Sequence, residues 1–99
     1  MFSHYRLHDP NYFKIIRHVD NFIEVMSLNT EHCWIIQRKE LCADDNRYWL
    51  YLKHKFTDPH YHLHTKVLNV SRAVSQIRYH DFNTINRQNR EKKLTKKRQ

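Results

Sequence analysis

In the stretch DPHYHLHTK, residues 58–66, His60, His62 and His64 recur at every second position. An imidazole changes charge near neutral pH, so such a row could ligate a metal, move protons or meet phosphate. Alternate residues of a strand point the same way. A His-x-His pair can therefore share one zinc ion, with His54 or Asp58 as a further donor within reach. Three successive same-side residues span about 13 Å, so a straight strand brings only two of them to one ion. The second chemistry is phosphodiester cleavage. It needs a base for the 2′-hydroxyl, an acid for the leaving oxygen and a cation for the charged intermediate. Paired histidines suit the first two, and Lys53, Lys55 or Arg38 the third. The pattern selects no pair among nine histidines. The plainest reading is a polar edge strand, where His and Lys discourage unwanted strand pairing. No residue is therefore assigned as catalytic or metal-ligating, and no cofactor is expected.

A different chemistry comes from cations beside planar rings. Bases stack on aromatic side chains while Lys and Arg meet the phosphates between them. RYWLYLKHK, residues 47–55, interleaves Trp49 and Tyr51 with Lys53 and Lys55, and WIIQR, residues 34–38, adds Trp34, Ile36 and Arg38. The formal charge is +8, and most of it sits in residues 86–99, which hold Arg87, Arg90, Lys92, Lys93, Lys96, Lys97 and Arg98 against Glu91 alone. Such a segment attracts polyanions through counterion release.

The elements that must position these groups follow from the apolar pattern. Asp9-Pro10 reads as a helix start, an N-cap followed by Pro at the first helical position. Tyr12, Ile15, Ile16, Val19, Phe22, Ile23 and Met26 then fall on one helical arc of about 120°. A hairpin turning at Asp20-Asn21, with strands Phe13–Val19 and Phe22–Leu28, is the competing reading. Broken alternation and a turn without Gly favour the helix. Three strand-like runs follow: Cys33–Lys39, Arg47–Phe56 and His60–Lys66. A last helix starts at Val70 with Asn69 as its cap, and carries the stripe Val70, Ala73, Val74 and Ile77, which Asp81 interrupts.

The expected fold is thus α+β, a small single domain over 1–85 in α-β-β-β-α order with a disordered basic C-terminal tail over 86–99. A three-stranded antiparallel sheet has both helices on its Ile35/Leu50/Leu52/Leu63 face. The other face, with Trp34, Ile36, Trp49, Tyr51 and the histidine row, stays open. In element order the chain is topologically similar to double-stranded-RNA-binding domains, and its β-β-β-α part looks like small sheet domains that read a DNA major groove.

Gly is absent, so turns fall to Asn, Asp and Pro at 29–31, 44–46 and 57–59, and a phosphate-cradling Gly-rich loop is excluded. Cys33 and Cys42 match neither a zinc nor a redox spacing, and Cys33 reads as a buried small hydrophobe. No stretch approaches the ~18 apolar residues of a membrane helix. MFSHYRLHDP lacks the apolar run of a secretory signal, so a cytoplasmic setting is expected.

The leading expectation is a small, non-enzymatic nucleic-acid-binding accessory or regulatory protein. Arg38, Trp49, Tyr51, Lys53 and Lys55 would make the sheet contact, and Lys92, Lys93, Lys96, Lys97 and Arg98 the electrostatic grip. The alternative is a protein-interaction or homodimerisation module using the aromatic face. A small histidine-dependent ribonuclease stands third.

Overall fold

The structure, a computed structural model, describes the backbone of residues 5–39 and 47–97 and the side chains of residues 6–39 and 47–91. A short 3-10 turn, η1 (Tyr5–His8), leads into five strands: β1 (Phe13–Val19), β2 (Phe22–Ser27), β3 (Cys33–Arg38), β4 (Tyr48–Lys53) and β5 (His62–Val67). They form one antiparallel sheet in the order β1-β2-β3-β4-β5, and a single long helix, α1 (Val70–Lys97), follows. The fold is α+β, but the expected three-stranded sheet with two helices on one face is replaced, among the described residues, by five strands and one helix. The α-β-β-β-α order, with the similarity of element order built on it, does not hold.

The expected first helix is the β1-β2 hairpin, and a β-bulge explains the misreading. Ile15 pairs with Val25 and Arg17 with Glu24, so Ile16 is an extra residue on β1. A bulge shifts the side-chain phase by one and breaks the period of two. Two isoleucines in a row then mimic one side of a helix. Asp20 and Asn21 close the turn with neither in the left-handed region. Asp9 serves as a turn residue: its side chain accepts from the Asn11 N–H (3.0 Å) and its carbonyl from the N–H groups of Tyr12 and Phe13.

The sheet's registers decide its faces. Ile23, Ile36, Leu50 and Thr65 align across four strands, as do Val25, Trp34, Leu52 and His62. Those rows lie on the face that α1 covers, where Ile23, Val25, Trp34, Ile36 and Leu50 are fully buried. Trp34 and Ile36 are therefore on the opposite face from the one expected, while Ile35 and Leu63 lie on the open one. Cys33 to Ile36 are apolar at every position, so β3 carries no alternation from which its phase could be read. The 57–59 turn forms as expected, Asp58 accepting from the Lys55 N–H (3.2 Å). The 44–46 turn and Cys42 lie outside the described residues. Cys33 is buried, as expected.

Asn69 caps α1 through a bond from the Arg72 N–H to its side-chain oxygen (2.9 Å). Such a cap is worth about 1 kcal/mol. Ala73, Val74 and Ile77 pack on β3, β4 and β5 and have no solvent exposure. A fully buried Val or Ile side chain contributes roughly 1.5–3 kcal/mol. η1 closes the start of the helix: Leu7 joins the core, and Arg6 donates to the Ser71 carbonyl, Ser71 Oγ and Ser75 Oγ (each 3.1 Å). The segment expected as a disordered tail is helical as far as Lys97, and Arg87 to Glu91 are exposed along it. No described helix is long and apolar enough to cross a membrane.

In the β2-β3 turn Glu31 lies at φ 61°. A side chain there costs about 1–2 kcal/mol, and this chain has no Gly to relieve it. After the unfolded-state entropy of Gly is subtracted, Glu31→Gly is expected to raise the unfolding free energy by roughly 0.5–1 kcal/mol in urea titrations. A loss of stability would show that the Glu31 side chain, and not its backbone, governs this turn.

Candidate functional site

The uncovered sheet face is built by the alternate residues of β2, β3 and β4. Phe22, Ile35, Gln37, Tyr51 and Tyr61 line a shallow groove of about 270 Å³ on it. Cations ring the groove. Lys39 and Lys66 place their ammonium groups 4.8 and 4.3 Å from the Trp49 ring centroid, and Lys53 lies 4.8 Å from the Tyr61 ring. Arg17 and Lys14 reach the same side from β1, through their pairing with Glu24 and Met26. Glu24 is a carboxylate of this face, and it is already engaged. It is 6% exposed, accepts from the Tyr61 hydroxyl (2.6 Å) and pairs with Arg17 (3.4 Å). Burial, together with the bond to Glu24, pushes the Tyr61 phenol far above its usual range, so it remains a donor.

The residues expected at the sheet contact separate accordingly. Trp49, Tyr51 and Lys53 share the open face, the two rings half-buried. Arg38 pairs with Tyr48 and belongs to the helix side, at its exposed rim. Lys55 follows the end of β4 and lines a cleft beside α1. Lys92, Lys93, Lys96 and Lys97 belong to α1, and Arg98 lies outside the described residues. Lys39, Lys66 and Arg17 were missed. Lys66 pairs with Trp49 on the open face, whereas Leu50 pairs with Thr65 and Tyr51 with Leu63, which leaves His64 as a bulge and turns His62 and His64 to the helix side.

The same bulge breaks the histidine row. His60 lies before β5, while His64 meets Trp34 and the helix residue His80, with ring centroids 5.6 and 5.2 Å apart. The expected open-face row is therefore a cluster on the helix side, joined by His32 and His54 from elsewhere in the chain. His32 stacks on His54 at 4.9 Å and lies 5.6 Å from His80. Beneath them Asp81, without solvent exposure, accepts from the Tyr12 hydroxyl (2.7 Å) and the Thr30 hydroxyl (3.0 Å). His32, His80 and Asp81 bring donor atoms within 4.8 Å of one another. A cleft of about 530 Å³ opens beside this cluster, lined by His32, His54, Lys55, Thr84 and Arg87 among others. The signal for the cluster was Asp81 itself, since a carboxylate on a buried helical stripe demands partners.

None of the protein families, curated proteins and solved structures compared with the chain matches it. Function must therefore be inferred from the chain's own side chains.

Burial holds His32, His64 and His80 below the usual 6.5, with His54 adding to the effect on His32 and His64 to that on His80, while Asp81 opposes it at both. The unfolded chain thus binds protons that the folded chain refuses. Their contribution to stability is full above pH 6.5 and is lost as pH falls through the lower folded-state values. Urea unfolding at about pH 7.5 and about pH 5.5 is expected to show lower stability in acid, and His80→Gln is expected to shrink that difference. Equal stability at both pH values would mean that these imidazoles are not desolvated.

Proposed function

We propose that the chain binds single-stranded nucleic acid across the open sheet face, without catalysis. The observation that carries this reading is the pairing of an aromatic groove with surplus cations. Lys14, Arg17, Lys39, Lys53 and Lys66 surround or border Phe22, Tyr51 and Tyr61, and the Glu24 carboxylate of this face is consumed internally. A strand of nucleic acid lying along β3 and β4 would stack a base on the Tyr51 and Phe22 side of the groove. Its phosphates would meet Lys39 and Lys66, which the Trp49 ring holds in place. Gln37 offers an amide donor and acceptor to a base edge. The Lys and Arg residues of the α1 C-terminal half add a charge-only grip that carries no sequence preference.

Fluorescence anisotropy of labelled RNA and DNA oligonucleotides with the full chain tests this. Affinity is expected to fall about 10–100-fold between low and moderate salt, as a few neutralised phosphates dictate. Tyr51→Ala is expected to weaken binding about 5–100-fold through lost stacking. Lys66→Gln is expected to lower the logarithmic salt slope by about one. The relative affinity for the two oligonucleotides reports whether the 2′-hydroxyl is read. Two results would overturn the proposal. One is no binding at low salt. The other is binding indifferent to Tyr51→Ala and Lys66→Gln but lost when Lys92, Lys93, Lys96 and Lys97 are all changed to Gln. A dimer dispersed by Tyr51→Ala would assign the groove to a second copy of the chain.

A further inference from the structure

We propose that His32, His80 and Asp81 form a binding site for one divalent transition-metal ion, zinc being the best fit to the donor set. The site lies on the helix-covered side of the sheet and is independent of the open face. Its donors come from the β2-β3 turn and the middle of α1, and their ligand atoms lie within 4.8 Å of one another. Ligands at about 2.0–2.2 Å from a tetrahedral ion are roughly 3.4 Å apart, so closure requires contraction on the order of 1 Å. Small rotations of two imidazoles supply that.

Hydrogen bonding alone accounts for Asp81 but not for the histidines. His32 is 8% exposed, and its Nδ1 is buried with no hydrogen-bond partner. That nitrogen points toward Asp81 but stands 4.0 Å from Oδ1, too far for a hydrogen bond. The Nδ1 of His80 is likewise buried without a partner. Two interior nitrogens with nothing to bond are a cost that a ligand between them would remove. One ion between them and the Asp81 oxygen would satisfy all three groups.

The surroundings match what a bound carboxylate needs. Tyr12 and Thr30 each donate to a different Asp81 oxygen, fixing its orientation as outer partners of metal ligands do. Two imidazoles and one carboxylate are three protein donors, the number that leaves zinc a free coordination position. His32 also lines the cleft, so that position would face it, with His54 stacked beside His32 as a further donor. Lys55 and Arg87 line the same cleft and would favour an anionic oxygen ligand there.

The test is zinc alone added to the metal-free full-length chain, followed by calorimetry and by NMR of histidine ring nitrogens. One zinc per chain is expected, with a raised melting temperature and shifts of the His32 and His80 rings. His32→Ala and His80→Ala should each weaken binding beyond the roughly 10–100-fold expected of Tyr12→Phe or Thr30→Val. His60→Ala should leave it unchanged. Asp81→Asn removes a buried acceptor and is expected to destabilise the chain, so the wild-type ring signals serve as the readout that needs no substitution. Three results would overturn the proposal: no zinc binding, binding that survives loss of both His32 and His80, or zinc that shifts only His60 and His62.

Discussion

A carboxylate with no access to water holds this fold in register. Asp81 sits on the buried stripe of α1, where an apolar residue would ordinarily be placed, and an interior charge requires hydrogen-bond donors. Its donors are Tyr12, just ahead of β1, and Thr30, in the β2-β3 turn. One side chain thereby joins the start of the sheet, its second connection and the helix. Because successive helical residues differ by about 100°, placing Asp81 against Thr30 also fixes the rotation of α1. His80 is then directed at Trp34 and His64 rather than at solvent. The Tyr12 phenol shares in this restraint. Burial and the adjacent charge drive its ionisation far above the usual range, and Arg78 covers its ring at 4.5 Å.

The sheet keeps two environments apart although both are rich in rings and bases. Toward the helix, indole and imidazole meet edge to face: Trp34 lies nearly perpendicular to His64 and His80. On the far side, Trp49 carries ammonium groups on its ring and remains half exposed. The division follows from register. Trp34 pairs with Leu52, and Trp49 pairs with Gln37, so the two indoles point through opposite faces. A slip of one residue between β3 and β4 would put Trp34 in water and bury Gln37 beneath α1.

What could be read from the residues depended on how regular each segment was. In β4 the alternation from Tyr48 to Lys53 is unbroken, and its inward and outward residues were assigned correctly. The start of α1 was equally plain, because Asn69 precedes a stripe at helical spacing. Both ends of the sheet misled for one reason. Ile16 and His64 are bulge residues, and a period of two cannot be followed across an inserted residue. β3 failed differently, since apolar side chains at four successive positions fit either phase. The histidine cluster draws on positions 32, 54, 64 and 80, a spacing set by tertiary contact alone. Sequence proximity drew attention to His60, which stands outside it.

The bulges at Ile16 and His64 have a bearing on how the molecule coexists with its own copies. They fall on β1 and β5, the outermost strands, whose outer margins pair with no further strand among the described residues. A flat margin of that kind invites another chain to dock and extend the layer indefinitely. An inserted residue kinks the ribbon and spoils the spacing a newcomer would have to match. Interrupted on both borders, the sheet is poorly suited to edge-on polymerisation.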